Sequence, residues 1–239
     1  DEERHHFPQH PSYPWTEETD DYTGIEIWNH MSEWVEGMNE NNKLEHLIHP
    51  LKSINAPFEK TLKRWDTAAS KRHVTAIGGV DAHAFKQNII GLVELEIFAY
   101  KVLFKSIRTH VILDKPVSKK NNKTFEQDKA KILEALKKGR CFVANFYHGD
   151  GKGFRFFAEY KNETYSTGDS IKLNGGNVLL KVLTPKVCSI KLIHDNTKTQ
   201  ELNGMVATWD VKEPGIYRVE CWIRDKGWIF SNHIRIVNE

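Results

Sequence analysis

Residues 74–83 have the sequence VTAIGGVDAH, in which a strand-like apolar segment leads through two glycines to an aspartate and a histidine. If the strand continues through this stretch, Asp81 and His83 point to the same side, because alternate residues of a strand share a face. A carboxylate and an imidazole on one face can reach one metal ion, and Gly78 and Gly79 leave room for its close approach. We therefore predict that Asp81 and His83 contribute to a metal site. The alternative is that both are solvated residues after a strand in a histidine-rich chain.

The segments around this stretch alternate between strand and helix patterns. Residues 24–28 form a short apolar run typical of a buried strand, and the residues after it are typical of a helix that begins near Asn29 or Ser32. Apolar side chains then recur at helical spacing over residues 58–69 before the next strand. Strands that alternate with helices favour a parallel sheet or barrel, which places its chemistry at the C-terminal ends of the strands.

The second half of the chain has a different pattern, in which apolar and polar residues alternate with a period of two. The alternation is clear over residues 154–160 and 217–223, and turn sequences separate at least seven such segments. This spacing predicts an antiparallel β-sandwich.

The composition excludes several classes of partner. The 34 basic and 32 acidic side chains leave a net charge of +2, which is too small to indicate a nucleic acid as the main partner. No apolar run approaches the roughly 18 residues of a membrane helix, so we expect a soluble protein with no membrane partner.

The three cysteines lack zinc-type pairing and favour a reducing compartment, so we predict a cytoplasmic protein. A secreted protein with one disulfide stays an alternative, because the chain starts at Asp1 without an initiator methionine.

Two further residues are candidates for the site. His10 is followed by a rigid, proline-rich turn that could hold its imidazole toward a barrel mouth, although a surface histidine in such a loop is also typical. Glu26 lies in an otherwise apolar strand and needs a partner if it is buried. It could act as an acid beside the site, or it could face solvent at the strand end.

Four motifs, in this order along the chain, resemble those of the PHP family, which is named for polymerase and histidinol phosphatase domains. They are His10-Pro11, residues 24–29 (GIEIWN), residues 78–83 (GGVDAH) and residues 228–234 (WIFSNHI). The resemblance is to family members that carry a C-terminal β-sandwich, and it extends over nearly the whole chain. In the last motif, His233 stands where proline is usual in the family.

The resemblance implies an α/β plus all-β fold, with the C-terminal part of a distorted, TIM-like βα barrel followed by an antiparallel β-sandwich. The corresponding division is a barrel part at residues 1–115, a linker and connecting helix at 116–140, and the sandwich at 141–239. A complete eight-unit barrel takes about 250 residues, so the first part holds only about three or four units.

The resemblance also implies a function. Family members bind two or three divalent ions, commonly zinc, iron or manganese, and hydrolyse phosphate esters. A divalent ion supports this chemistry because it lowers the pKa of bound water from about 15.7 to about 7. At the matching positions, His10, Asp81 and His83 are the implied metal ligands. The residues that would shape the substrate pocket are Glu26, Asn29 and Asn232. The expected partner is a phosphorylated small molecule.

One feature of the family is absent. The family opens with a His-x-His pair, and this chain contains none. We therefore expect the remaining ligands in an N-terminal barrel segment upstream of Asp1, in a parent phosphoesterase. We also expect the chain by itself to be inactive.

Two other functions are consistent with the sequence. The β-sandwich could bind a carbohydrate or another protein through exposed aromatic residues such as Trp209, Trp222 or Trp228, on a non-catalytic PHP scaffold. This reading fails if these tryptophans belong to the core. The other possibility is a degenerate PHP domain that no longer holds metal.

Overall fold

The computed structural model describes residues 22–89, 93–118 and 124–239. The elements before residue 140 are, in order, β1 (Gly24–Asn29), α1 (His30–Gly37), α2 (Lys43–Ile48), α3 (Glu59–Lys71), β2 (Thr75–Gly79), β3 (Phe85–Ile89), β4 (Val93–Ile97), α4 (Tyr100–Leu103), β5 (Ile107–Val111) and α5 (Phe125–Lys137). The elements after it are β6 (Cys141–Asn145), β7 (Arg155–Tyr160), β8 (Glu163–Ser166), β9 (Ser170–Leu173), β10 (Val178–His194), β11 (Thr197–Val211), β12 (Gly215–Ile223), β13 (Lys226–Ser231) and β14 (Ile234–Asn238). Within the described ranges, no helix combines the length and the apolar character needed to cross a membrane.

One ten-stranded sheet dominates the described residues. Its strand order is β5-β6-β13-β12-β10-β7-β8, with β11 beside β10, and with β14 beside both β12 and β9. Its pairs are antiparallel except for β14 with β9. The 17-residue strand β10 pairs with β7 through its first part and with β12 through its last part. The sheet therefore curls into a half-barrel without dividing into two layers.

The predicted fold class, a TIM-like βα barrel part followed by a β-sandwich, is wrong. The described residues are mostly β, and their five α-helices do not surround a parallel barrel. β1 and β2 do pair in parallel, but they form a two-stranded sheet of their own. β3 and β4 form another two-stranded sheet, which is antiparallel. Periodicity fails here because it indicates which residues face a core and not which strands pair. The predicted boundaries at residues 115 and 140 stay a prediction, although β5 and β6 pair with each other across them.

Local elements of the first half agree with the sequence patterns. β1 covers the strand predicted at residues 24–28, and Asn29 is the N-cap of α1. In α3, the apolar stripe formed by Leu62, Trp65 and Ala69 is buried. The stripe faces the core because helical residues three and four apart lie on one side.

β5 and β6 carry a hydrophobic cluster on each face. Phe142 and Ala144 belong to the core inside the curled sheet, whereas Ile107 and Val143 belong to a second core that also contains residues of β1, β2 and α3. The two sets alternate along β6, as residues on opposite faces of a strand must. The β1–β2 sheet therefore lies against the outer face of β5 and β6.

β12 is also covered on both faces. The alternation over residues 217–223 is typical of a strand with one buried face. In β12, however, the polar positions Arg218 and Glu220 are buried as well, with exposures of only 3% and 7%. The reason is that α3 packs over the face that carries these charges.

The buried charges are neutralised by a cluster that joins α3 to β12. Arg218 Nε donates to Asp66 Oδ1 at 2.8 Å, and Arg218 Nη2 donates to Asp66 Oδ2 at 2.9 Å. Arg218 Nη1 donates to Glu220 Oε1 at 2.6 Å. The ring nitrogen Nε2 of His233 lies 2.7 Å from Asp66 Oδ1, and the ring packs against Trp65. We call Asp66, Arg218, Glu220 and His233 the Asp66 cluster. Burial by itself raises the pKa of Asp66, but the Arg218 charge and the hydrogen bonds outweigh burial and hold that pKa below its usual value.

Arg218→Ala should lower the free energy of unfolding by about 3–5 kcal/mol, because it leaves the Asp66 and Glu220 carboxylates buried without their cation. Urea unfolding followed by circular dichroism measures this change. Arg224 is exposed and provides the matched control. Arg224→Ala should change stability by less than about 0.5 kcal/mol. Similar losses for the two substitutions would contradict the role of the Asp66 cluster.

Candidate functional site

Polar side chains gather at the carboxyl ends of β1 and β2. The two strands are parallel, with Asn29 opposite Gly79, and the loop after β2 carries Asp81 and His83. Because parallel strands end at the same edge of a sheet, the residues that end β1 and follow β2 share one edge. We call Glu26, Asn29, Asp81 and His83 the β1–β2 edge.

Asn29 makes two hydrogen bonds that fix the start of α1 and the position of Glu26. Its Oδ1 accepts from the backbone N–H of Ser32 at 2.9 Å, which caps the helix. Its Nδ2 donates to Glu26 Oε2 at 2.9 Å. The residue that ends the strand therefore also holds the Glu26 carboxylate at the edge.

The two glycines before the edge have different roles. A Cβ on Gly78 would lie 2.5 Å from Val143 Cγ1 and 2.9 Å from Ile107 Cγ2. A Cβ on Gly79 would lie 2.8 Å from Glu26 Oε1. Gly78 therefore allows β2 to pack on β5 and β6, and it does not leave room for a ligand as expected. Gly79 is the residue that leaves space at the edge, next to the Glu26 carboxylate.

The turn after β2 brings Asp81 and His83 together. β2 ends at Gly79, so the predicted continuation of the strand through Asp81 and His83 is wrong. Asp81 has a φ of 49° and Ala84 a φ of 50°, in the left-handed region that residues other than glycine adopt uncommonly. His83 Nε2 nevertheless lies 3.2 Å from Asp81 Oδ1. Left-handed residues that a structure holds in place concentrate at functional sites.

Solvent reaches both members of this pair. The side chains of Asp81 and His83 are 31% and 52% exposed. An ion pair at such exposure is screened by water and typically contributes less than about 1 kcal/mol to stability. The pair therefore has little structural effect, whereas its donor atoms are accessible to a ligand.

The edge offers suitable donor types for a divalent ion but only part of a ligand set. In the described ranges, no group of three or more His, Cys, Asp or Glu side chains is arranged to hold a metal ion. His10, the third predicted ligand, lies outside those ranges. Carboxylate and imidazole donors suit zinc, manganese and iron, so Asp81 and His83 fit part of the predicted centre. Their role as metal ligands stays a prediction.

Asn232, which was predicted to line the substrate pocket, lies between β2 and β6. Its Oδ1 accepts from the backbone N–H of Ala76 at 2.7 Å, and its Nδ2 donates to the carbonyls of Ala76 and Cys141 at 3.0 Å each. The side chain is buried, so these partners satisfy an amide that water cannot reach. Asn232 therefore joins the β1–β2 sheet to the ten-stranded sheet, and its role in a pocket stays a prediction.

Two buried ionisable side chains occupy the start of α1, directly after β1. His30 is fully buried, and its Nδ1 lies 2.9 Å from Ser106 Oγ. Burial lowers the pKa of His30 to about 4, so the imidazole is neutral at pH 7. Burial raises the pKa of Glu33 to about 7, against the hydrogen bonds that it accepts from the Trp28 indole and from two backbone N–H groups. Both side chains serve the packing of α1, because neither reaches solvent.

Sequence patterns alone miss the Asp66 cluster, although one signal for it exists. Asp66 follows Trp65 and lies on the buried side of α3 with Leu62 and Ala69, where a carboxylate requires a partner. The sequence does not identify that partner, since Arg218 is 152 positions away along the chain.

The chain matches no protein-family model, and comparisons with curated proteins and with solved structures find no match. A functional hypothesis for this protein therefore depends on its own residues and on their geometry.

Gly78→Ala should lower the free energy of unfolding by about 1–3 kcal/mol, because the added methyl group collides with the packed side chains of Val143 and Ile107. Gly79→Ala should cost less, because the new methyl group meets only the end of the long Glu26 side chain and no packed apolar side chain. Urea unfolding of both variants measures the difference. A larger loss for Gly79→Ala would contradict the roles inferred for the two glycines.

Lowering the pH should destabilise the protein through His30. The pKa of His30 falls from its usual 6.5 to about 4 in the folded protein. Between these values the unfolded chain takes up a proton that the folded chain does not, so stability is lost as the pH falls. In urea titrations at a series of pH values, His30→Gln should therefore lose stability less steeply across this window. Above pH 7 the two proteins should have the same slope. Equal slopes below pH 6 would contradict a buried neutral imidazole.

Proposed function

We propose that the β1–β2 edge contributes to a divalent-metal centre that hydrolyses phosphate esters of small molecules. The observation that carries the proposal is the 3.2 Å contact between Asp81 Oδ1 and His83 Nε2 just after a parallel strand. The left-handed backbone at Asp81 and the exposure of both side chains support it. The motif resemblance to the PHP family, in which the matching positions bind metal, points in the same direction.

In this proposal each edge residue has a separate role. Asp81 and His83 bind the ion through a carboxylate oxygen and an imidazole nitrogen. A divalent ion supplies an activated water and neutralises charge on the phosphoryl oxygens. Glu26 is held by Asn29 beside Gly79, and it shapes the pocket with a fixed negative charge.

The proposed centre requires further ligands. A carboxylate and one imidazole hold a divalent ion weakly, because protein metal sites of this class use three or more side-chain ligands. His10 and other residues beyond the described ranges would complete the set. We therefore expect measurable but weak metal binding by the chain, and little or no turnover.

The alternative function, a carbohydrate- or protein-binding module, has less support. It requires exposed aromatic rings, but Trp209 and Trp228 are 3% and 0% exposed. Trp222 is only partly buried, and its ring lies under the Lys191 ammonium group at 4.1 Å. The three tryptophans therefore offer no aromatic platform of the kind that stacks on sugars.

Asp81→Asn and His83→Gln should each lower the affinity of the chain for Mn²⁺ by about tenfold or more, because each removes one ligand. Isothermal titration calorimetry measures the affinity without any need for turnover. Asp225→Asn and His49→Gln are matched controls at exposed positions and should bind Mn²⁺ like the parent chain. Mn²⁺ affinities that are equal in the parent and in both edge variants would refute the metal site.

Hydrolysis of bis-p-nitrophenyl phosphate with added Mn²⁺ or Zn²⁺ tests the chemistry separately. Any turnover by the parent chain should be abolished by Asp81→Asn and retained by Asp225→Asn. Turnover that survives Asp81→Asn would contradict the proposed centre.

A further inference from the structure

A cavity lies at the open seam of the curled sheet, where the half-barrel does not close. Its volume is about 670 Å³, within the range of roughly 300–1,000 Å³ that is typical of small-molecule sites. β5 and β8 stand at the two ends of the path of paired strands, and both contribute to its lining. We call this space the seam cavity.

One wall of the seam cavity is aromatic. The His110 imidazole stacks on the Phe142 ring, with centroids 4.6 Å apart and planes inclined by 5°. Phe154 packs against Phe142 with a centroid separation of 4.8 Å. His110 is partly exposed at the end of this stack, so a flat ring placed against the wall would continue it.

The seam cavity is lined by three cations, Arg140, Lys152 and Arg155, and by two carboxylates, Asp114 and Asp169. Arg140 is neutralised, since its Nη1 lies 2.9 Å from Asp114 Oδ2 and its Nη2 lies 3.3 Å from Asp169 Oδ1. Lys152 and Arg155 are exposed, and neither forms an ion pair with a carboxylate in the part of the chain that the structure describes. Two unneutralised cations beside an aromatic wall attract an anion that carries an apolar ring.

Two residues that line the seam cavity carry a nitrogen with no protein partner within the described ranges. His110 Nε2 and Arg140 Nε are buried and have no hydrogen-bond partner among the described residues. A buried polar nitrogen without a partner costs about 1–3 kcal/mol. Burial lowers the pKa of His110, although the Asp150 carboxylate opposes this shift. The lower pKa favours the neutral imidazole, the form that stacks on an aromatic ring.

We propose that the seam cavity binds a small aromatic anion, with its ring against His110 and its carboxylate or phosphonate-like group toward Lys152 and Arg155. This site is separate from the β1–β2 edge. Thr109 faces β2, where it hydrogen-bonds to Gly78, whereas the next residue, His110, faces the seam cavity. The proposal therefore does not depend on the proposed metal chemistry.

Titration of the ¹⁵N-labelled chain with phenylphosphonate and with benzoate tests the proposal by NMR. Both probes resist hydrolysis, and EDTA in the buffer removes any contribution from bound metal. Each should bind saturably with a Kd of about 1 mM or lower. The largest shifts should occur at the amide signals of Gly153, Arg155 and Ser166. Benzyl alcohol and inorganic phosphate should bind at least about tenfold more weakly, because each lacks one half of the recognised chemistry.

A charge-reversed variant tests the rim. Lys152→Glu combined with Arg155→Glu should weaken phenylphosphonate binding by about tenfold or more. Lys172→Glu combined with Lys212→Glu changes the net charge equally at exposed positions elsewhere and should leave binding unchanged. Circular dichroism checks that both variants are folded.

Three results would overturn the proposal. They are the absence of saturable shifts with both aromatic anions, equal binding of inorganic phosphate and phenylphosphonate, and equal losses in the rim variant and its charge-matched control. Asp81→Asn should bind phenylphosphonate as the parent does. Loss of Mn²⁺ binding without loss of phenylphosphonate binding would therefore distinguish the two sites.

Discussion

The buried ion pair between Asp66 and Arg218 is the interaction on which the arrangement of this molecule depends. A guanidinium does not lose its proton in a protein, so a buried Arg218 requires carboxylates around it. Asp66 accepts three of the four hydrogen bonds that Arg218 donates to these carboxylates, and Glu220 accepts the fourth. The pair fixes α3 across β12, and α3 packs in turn on β1. Together with Asn232 and Thr109, which bond β2 directly, this contact sets the position of the β1–β2 edge relative to the curled sheet.

β5 divides the molecule into two chemical environments. Thr109 Oγ1 accepts from Gly78 N at 2.9 Å and donates to Gly78 O at 2.8 Å, so one face of β5 holds the β1–β2 sheet. His110 belongs to the opposite face and lines the seam cavity. Neighbouring residues of a strand point in opposite directions. The β1–β2 sheet and the seam cavity therefore lie on opposite faces of β5.

The two candidate sites attract ligands of opposite charge. The β1–β2 edge presents the carboxylates of Glu26 and Asp81 with one imidazole, a set that suits a cation. The seam cavity presents Lys152 and Arg155 beside an aromatic wall, a set that suits an anion. The net charge of +2 conceals this division, because total charge does not show where charges concentrate.

The sequence by itself determined what depends on residues close together in the chain. The strand at residues 24–28, the N-cap at Asn29 and the buried stripe of α3 follow from local patterns. The proximity of Asp81 and His83 was predicted too, although a left-handed turn rather than a continued strand produces it.

Only the tertiary structure decided which strands pair and which faces are covered. The alternating residues of β12 are typical of a half-buried strand, but α3 covers Arg218 and Glu220 in the folded protein. The single strand β10 pairs with both β7 and β12, and it thereby joins strands that would otherwise form two layers. Asn232 bonds to Ala76, 156 positions away, where sequence motifs had suggested a pocket. Each of these outcomes depends on contacts between distant residues, and local hydrophobic periodicity carries no information about them.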